Sequence, residues 1–189
     1  MPAAIDSTYI LDCVLAVWRE EGYARATTRK IATVAGISEI TLFRRFGDKS
    51  ALFRAALELE AERFSVEAIQ YEGDVRSDLV RIVEAYAALL DRSAAIILDF
   101  ALEAPRNPDL APLRTAPLAA IGKVAMVIAR YQAEGVLRPG PPPTLLLTLL
   151  SPLIMTALLR RAQPGIASDI HSSDRVDAFL KGWAEPGSR

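Results

Sequence analysis

The chain has 189 residues, a formal net charge of −1, 51% hydrophobic and 24% charged residues, which excludes a disordered chain and a uniformly basic nucleic-acid coat and leaves room for a small unit beside one larger core. A single cysteine, Cys13, excludes an intrachain disulfide and suits a reducing cytoplasm. Charge is unevenly spread: residues 1–54 carry eight basic and six acidic groups, which leaves −3 for residues 55–189.

The N-terminal MPAAIDSTY has neither a basic n-region nor an apolar h-region, so no secretion signal is expected. Asp6 or Ser7 starts a predicted helix to Glu21, with Leu11, Val14, Leu15 and Trp18 on one apolar face. Cys13 on that helix reads as core packing, and Gly22 ends it. Thr27 then caps a helix whose interior is Thr28 to Ala35, and Gly36 supplies the positive φ that ends helices. Ser38 caps a second short helix, Glu39 to Arg45; Gly47 closes it and Asp48 can cap the next. Ile31, Ala32, Ala35, Ile37, Leu42 and Phe46 form the predicted small core. Thr27, Thr28, Arg29, Lys30, Glu39, Ile40, Thr41, Arg44 and Arg45 are left outside. Helix, glycine-containing turn, and a second helix with a polar and basic outer face is the helix-turn-helix pattern, whose second helix enters the DNA major groove.

The charges argue for more than a solvated surface. From Arg25 to Arg54 there are seven basic residues against two acids, Glu39 and Asp48. Arg29, Lys30 and Lys49 fall in the first turns of their helices, where the dipole disfavours cations by roughly 0.3–1 kcal/mol each. Phosphate oxygens arriving from a ligand would remove that conflict. Arg44 and Arg45 say less, since a helix C-terminus favours cations. The outward residues of the second helix are the base-edge candidates: Glu39 can accept from cytosine N4, Ile40 or Thr41 can pack on a thymine methyl, and Arg44 can chelate guanine.

The helix from Lys49 continues an apolar stripe through Leu52, Phe53, Ala56, Leu57 and Phe64. A break is predicted over Tyr71 to Ser77, then a helix carrying Leu79, Ile82, Val83, Tyr86, Leu89 and Leu90. After Asp91-Arg92-Ser93 comes a separate apolar helix, Ala94 to Glu103, ended by Pro105 and Pro108. A further helix runs from about Pro112 to Glu134, stopped by Gly135, and Arg138 to Pro143 reads as a linker. The uncharged run Thr144 to Leu159 is shorter than the roughly twenty residues that span a bilayer, is followed by Arg160 and Arg161, and contains Pro152, which should kink it. A helix apolar on nearly all sides needs a partner for its second face. With a helix at Ser173 to Trp183 (Val176, Phe179, Leu180, Trp183), it could meet its copy in a four-helix bundle, so residues 144–161 and 173–183 are expected to form a homodimer interface rather than a membrane contact.

Gly22-Tyr23, Thr27-Thr28-Arg29-Lys30-Ile31-Ala32, Ala35-Gly36-Ile37-Ser38, Thr41-Leu42-Phe43-Arg44-Arg45-Phe46 and Lys49 resemble the N-terminal domain of TetR-family transcriptional regulators over residues 8 to 57. The segment Phe100 to Leu113 is loosely similar to one found in many such regulators. The resemblance implies an all-α, cytoplasmic homodimer of about nine helices: a three-helix DNA-binding domain in residues 1–50, and an effector-binding and dimerisation domain in residues 51–189. It implies that a small effector releases the operator; two copies held at a fixed separation would read an inverted repeat, and a ligand favouring a different separation of the two long arms would lower affinity. It further implies that the first helix packs behind the helix-turn-helix with Trp18 in the core, that Arg29 can reach a base, and that Thr27, Thr28, Arg45 and Lys49 hold phosphates, with Ser38 on the same face. Phe43 stands where the family usually has Tyr, so one hydroxyl contact to phosphate is in doubt. Ile40 is bulkier than usual, which should shift base preference.

Phe64, Tyr86, Phe100, Met126 and Tyr131 are the candidate effector-pocket residues, on helices that surround the cavity in the resembled fold; their alternative reading is ordinary core. So apolar a set points to an uncharged, hydrophobic or aromatic effector. Asp99 and Glu103, four apart, read first as a solvated face; they could also anchor a polar group or, in a rival reading, serve a small helical enzyme as acid and base. His171 is the only histidine, and no phosphate loop, Cys/His cluster or Ser-His-Asp set is present, so neither enzyme activity, metal nor cofactor is expected. A second rival keeps the helix-turn-helix as a protein-contact module.

Overall fold

The computed structural model describes residues 6–163 and 171–185; the start of the MPAAIDSTY segment lies outside them. Helices α1 (Ser7–Glu21), α2 (Thr28–Ala35), α3 (Glu39–Phe46), α4 (Lys49–Ala68) and α5 (Val75–Glu103) are followed by a short 3-10 helix (Pro108–Arg114), then α6 (Thr115–Ala133), α7 (Pro142–Ala162) and α8 (Ser172–Trp183). Among the described residues there is no strand, only an isolated bridge between Leu137 and Ala184. The fold is all-α. The chain forms two compact units, Met1–Ala61 with Ala95–Pro117, and Glu62–Ala94 with Leu118–Arg189.

In the first unit the helix starts follow from local cap chemistry. Asp6 accepts from Thr8 N–H, Thr27 Oγ1 from Lys30 N–H at 3.2 Å, Ser38 Oγ from Thr41 N–H at 3.1 Å, and Asp48 Oδ1 from Ala51 N–H at 2.8 Å. Gly36 ends α2 at φ 68°, a left-handed conformation that side chains resist, although a Cβ there would meet nothing within 4 Å. Ile10, Val14, Trp18, Ile31, Leu42, Phe53, Ile96 and Leu110 fill the core. Trp18, Tyr23 and Phe53 pack as a trio, with ring centroids 4.9–5.7 Å apart. Cys13 is buried here and unpaired.

In the second unit Leu79, Ile82, Val83, Val124, Ile128, Leu146, Leu149 and Val176 are buried. A polar knot closes it: Asp78, fully buried, accepts from Tyr131 Oη at 2.5 Å, from Glu72 N–H and from Arg81 Nη1 at 2.9 Å. Arg76 grips Asp177 with two bonds of 2.7 and 3.0 Å, tying α5 to α8.

Three expectations are corrected. The polar triplet Asp91-Arg92-Ser93 does not break the chain; α5 is one helix of 29 residues. Leu90, Ser93, Ala94 and Ile96 are all buried, so the inward stripe passes through the triplet without a glycine or proline to stop it. The helix expected from Pro112 is a 3-10 turn there, and α6 starts at Thr115. Pro142 and Pro143 are not linker but the first turn of α7, where a missing N–H costs nothing.

Helix α7 buries Leu145, Leu146, Leu149 and Leu150, while Leu147, Met155 and Leu159 on other faces are 49%, 54% and 40% exposed. By length and composition both the segment Pro108–Ala133 and α7 could cross a membrane.

Candidate nucleic-acid interface

Leu42 points α3 inward and leaves Ile40 (79% exposed), Phe43 (44%), Arg44 and Arg45 on the outer surface. Among the described residues the guanidinium groups of Arg29 and Arg44 have no partner, whereas Arg45 does have one. Thr27 and Ser38 are exposed and spend their hydroxyls on the caps; Ser38 Oγ also lies 2.8 Å from Thr41 Oγ1, with Thr41 half-buried.

Three base or phosphate candidates, Thr28, Glu39 and Lys49, are turned to internal work. Glu39 is half-buried, and its Oε1 accepts the Thr28 hydroxyl at 2.5 Å. Lys49 Nζ donates to the Tyr23 carbonyl at 2.8 Å and sits 4.5 Å from the centre of the Tyr23 ring. Burial there lowers its pKa, with Asp109 opposing. Lys30 pairs with Glu21. Of the three cations at helix starts, then, only Arg29 is left without an internal answer to the dipole, and the electrostatic argument for phosphate narrows to Arg29 and the outer face of α3.

The acid pair does not hold either. Asp99 Oδ2 accepts Trp18 Nε1–H at 2.6 Å and Tyr23 N–H at 2.8 Å, all within the first unit. The sequence signal was available in Trp18: a buried indole N–H needs an acceptor.

Each of the five pocket candidates has its own surroundings. Phe64 and Tyr86 pack edge to face at 5.8 Å, and burial raises the Tyr86 phenol pKa. Tyr131 is buried with its hydroxyl on Asp78. Phe100 packs against the core of the first unit, and Met126 is 66% exposed. Among the described residues no cluster of three or more metal-ligating side chains occurs.

The sequence matches the family description "Bacterial regulatory proteins, tetR family" over residues 10–56 and "Tetracyclin repressor-like, C-terminal domain" over residues 69–173. The chain belongs to the TetR family. Its sequence is 37% identical over 73 residues to the uncharacterized HTH-type transcriptional regulator YvkB of Bacillus subtilis, an alignment covering 39% of each chain. The chain spans half or less of the length of the curated relatives it matches. Its fold is that of the fatty acid degradation regulator FadR from Bacillus halodurans (TM-score 0.74, 16% identity, 92% of this chain and 95% of that one). A transcriptional regulator from Saccharomonospora viridis in complex with choline is also similar in fold (TM-score 0.71, 23% identity, 95% and 98%).

Proposed function

We propose that this TetR-family chain is a ligand-responsive transcriptional repressor that binds an inverted-repeat DNA operator as a homodimer and is released by a small, uncharged, apolar effector. The observation that carries the reading is the outer face of α3. An apolar side chain, Ile40, stands four residues before an unpartnered guanidinium, Arg44, on a helix anchored by Leu42 and the Ser38 cap. That combination suits a thymine methyl and a guanine edge. Arg29 supports a phosphate or base contact; Thr27, Ser38, Thr41, Phe43 and Arg45 are further candidates, and Thr28 and Lys49 could contribute only beyond their bonds to Glu39 and Tyr23. Residues 1–50 form the reading domain, and residues 51–189 the effector and dimerisation domain, in the cytoplasm.

A helix of 8 residues is about 12 Å long and reaches only a few base pairs, so selecting one genomic site calls for two copies. The exposed apolar face of α7 supports the second copy. Between α7 and α8 runs a groove of about 360 Å³ whose lining includes Thr148, Leu149, Pro152, Ala178, Phe179 and Trp183. A membrane reading is weaker, because α7 already buries four leucines within its own unit and ends in Arg160 and Arg161. The small-molecule part draws on the family and on the neighbour in complex with choline, a cation; the uncharged, apolar character of the effector draws on the sequence alone. The enzyme reading loses its acid, since Asp99 is engaged by Trp18 and Tyr23.

The test is selection of duplexes from random DNA by the purified protein, repeated with Arg44→Ala and Ile40→Ala. An inverted repeat should emerge, its binding falling steeply with salt. Arg44→Ala should relax preference at one position per half-site, by about 1–3 kcal/mol. A protein that enriches no sequence, or whose variants enrich the parental one unchanged, overturns the reading.

A further inference from the structure

We propose that Asp99 is a positioning residue for DNA reading: from α5, its carboxylate sets the turn between α1 and α2 and, through Tyr23, the start of α4. The inference rests on the reading of the chain as a DNA-binding regulator. Tyr23 is held at both ends, its N–H by Asp99 Oδ2 at 2.8 Å and its carbonyl by Lys49 Nζ at 2.8 Å. The same Oδ2 takes the Trp18 indole N–H at 2.6 Å. A chain of charge-assisted bonds therefore runs from Asp99 on α5 through Tyr23 in the turn to Lys49, the first residue of α4, and α2 and α3 lie in sequence between Tyr23 and Lys49.

The place is a poor one for a carboxylate unless it is needed. It lies against the C-terminal end of α1, where the helix dipole repels anions, and among the described residues the two donors are what hold it there. The backbone makes room for it. At Gly22, with φ +77°, a Cβ would fall 3.0 Å from Asp99 Oδ1, so a side chain at that residue would strain the turn and push the carboxylate away. Withdrawing the carboxylate frees the turn that leads into Thr27 and Arg29 and loosens the anchor of Lys49. What is lost is the geometry of the reading face, while its charges remain.

The experiment uses the full chain, its selected operator duplex, and an unrelated duplex of equal length at low salt. Asp99→Asn should bind the operator about tenfold more weakly, the scale of one charge-assisted hydrogen bond, while binding the unrelated duplex as the parent does. The Trp18 indole N–H resonance, assigned by its disappearance in Trp18→Phe, should shift in Asp99→Asn. Trp18→Phe and Asp99→Asn together should cost less than the sum of the two alone. Unchanged operator binding, or equal loss on both duplexes, overturns the positioning role. Should Asp99→Asn fail to fold, Trp18→Phe carries the test, and operator affinity equal to the parent's overturns the proposal. A parent that binds neither duplex sinks the DNA-binding reading itself, a result separate from a parent that binds and an Asp99 variant that matches it.

Discussion

The Thr28 hydroxyl donates to Glu39 Oε1 at 2.5 Å, joining the first residue of α2 to the first residue of α3 across the glycine turn. A carboxylate at the amino end of α3 is also favoured by the helix dipole. Glu39 therefore holds the two helices together before any DNA arrives, and a cytosine amino group could use only the acceptor capacity that Thr28 leaves.

The consequence is that Glu39→Gln, whose amide oxygen can still accept from Thr28, should leave both the melting temperature and the selected operator nearly unchanged. Glu39→Ala should lower stability by about 0.5–1.5 kcal/mol, the net worth of such a bond, visible as a lower thermal midpoint. A Gln variant that selects a different base at one position would return Glu39 to the base-reading set.

Lys49 serves the fold first, and a phosphate can only use what remains of its three donors. Lys49→Gln keeps a donor for the Tyr23 carbonyl and removes the charge, so the protein should fold. If Lys49 also meets phosphate, the slope of log affinity against log salt should fall by about 1, on operator and unrelated DNA alike. An unchanged slope assigns Lys49 to the turn alone.

The parts of this architecture that were legible in sequence are those decided within a few residues. Thr27, Ser38 and Asp48 bond to N–H groups three positions on, and helical spacing alone puts Leu42 inside and Ile40 outside. The roles that were not legible depend on distant partners. Asp99 meets residues 76 and 81 positions away, so on its own helix it reads only as an acid beside Glu103. Lys30 and Lys49 looked unanswered because Glu21 and the Tyr23 carbonyl come back to them through the fold. The continuity of α5 through Asp91-Arg92-Ser93 was hidden for a related reason: a buried serine is polar in sequence and part of the inward stripe in space. Met126 shows the converse, a large apolar side chain that is exposed on α6 in the single chain, which neither its size nor the resembled fold announces.

Tyr131 offers a pH-dependent check on the second unit. Burial first, and then its hydrogen bond to the Asp78 carboxylate, push its ionisation far above the ordinary phenol value of 10.0. Its neutral form is thus favoured by folding. That contribution is fully present below the unfolded value and is lost as pH rises above it toward the folded one. The thermal midpoint of the parent should fall past pH 10.0 more steeply than that of Tyr131→Phe. At neutral pH the Phe variant should be less stable by about 1–3 kcal/mol, because Asp78, fully buried, loses one of its donors. Parallel pH curves for the two proteins would remove Tyr131 from the account.

The exposed face of α7 decides whether two copies form. Leu147 and Met155 lie eight residues apart, on one side of the helix, and both are about half exposed in the single chain, an arrangement that costs hydration unless a partner covers it. Placing a carboxylate there should oppose association without touching the leucines buried on the other side. Met155→Glu should therefore keep the helical circular dichroism of the parent, since surface substitutions change stability by only about 0.5 kcal/mol. Light scattering should report a monomer where the parent is a dimer. Operator affinity should fall by orders of magnitude, because each copy must then find its half-site alone, while binding to unrelated DNA at low salt should change little. A Met155→Glu protein that remains a dimer and binds its operator as before would move the interface away from α7.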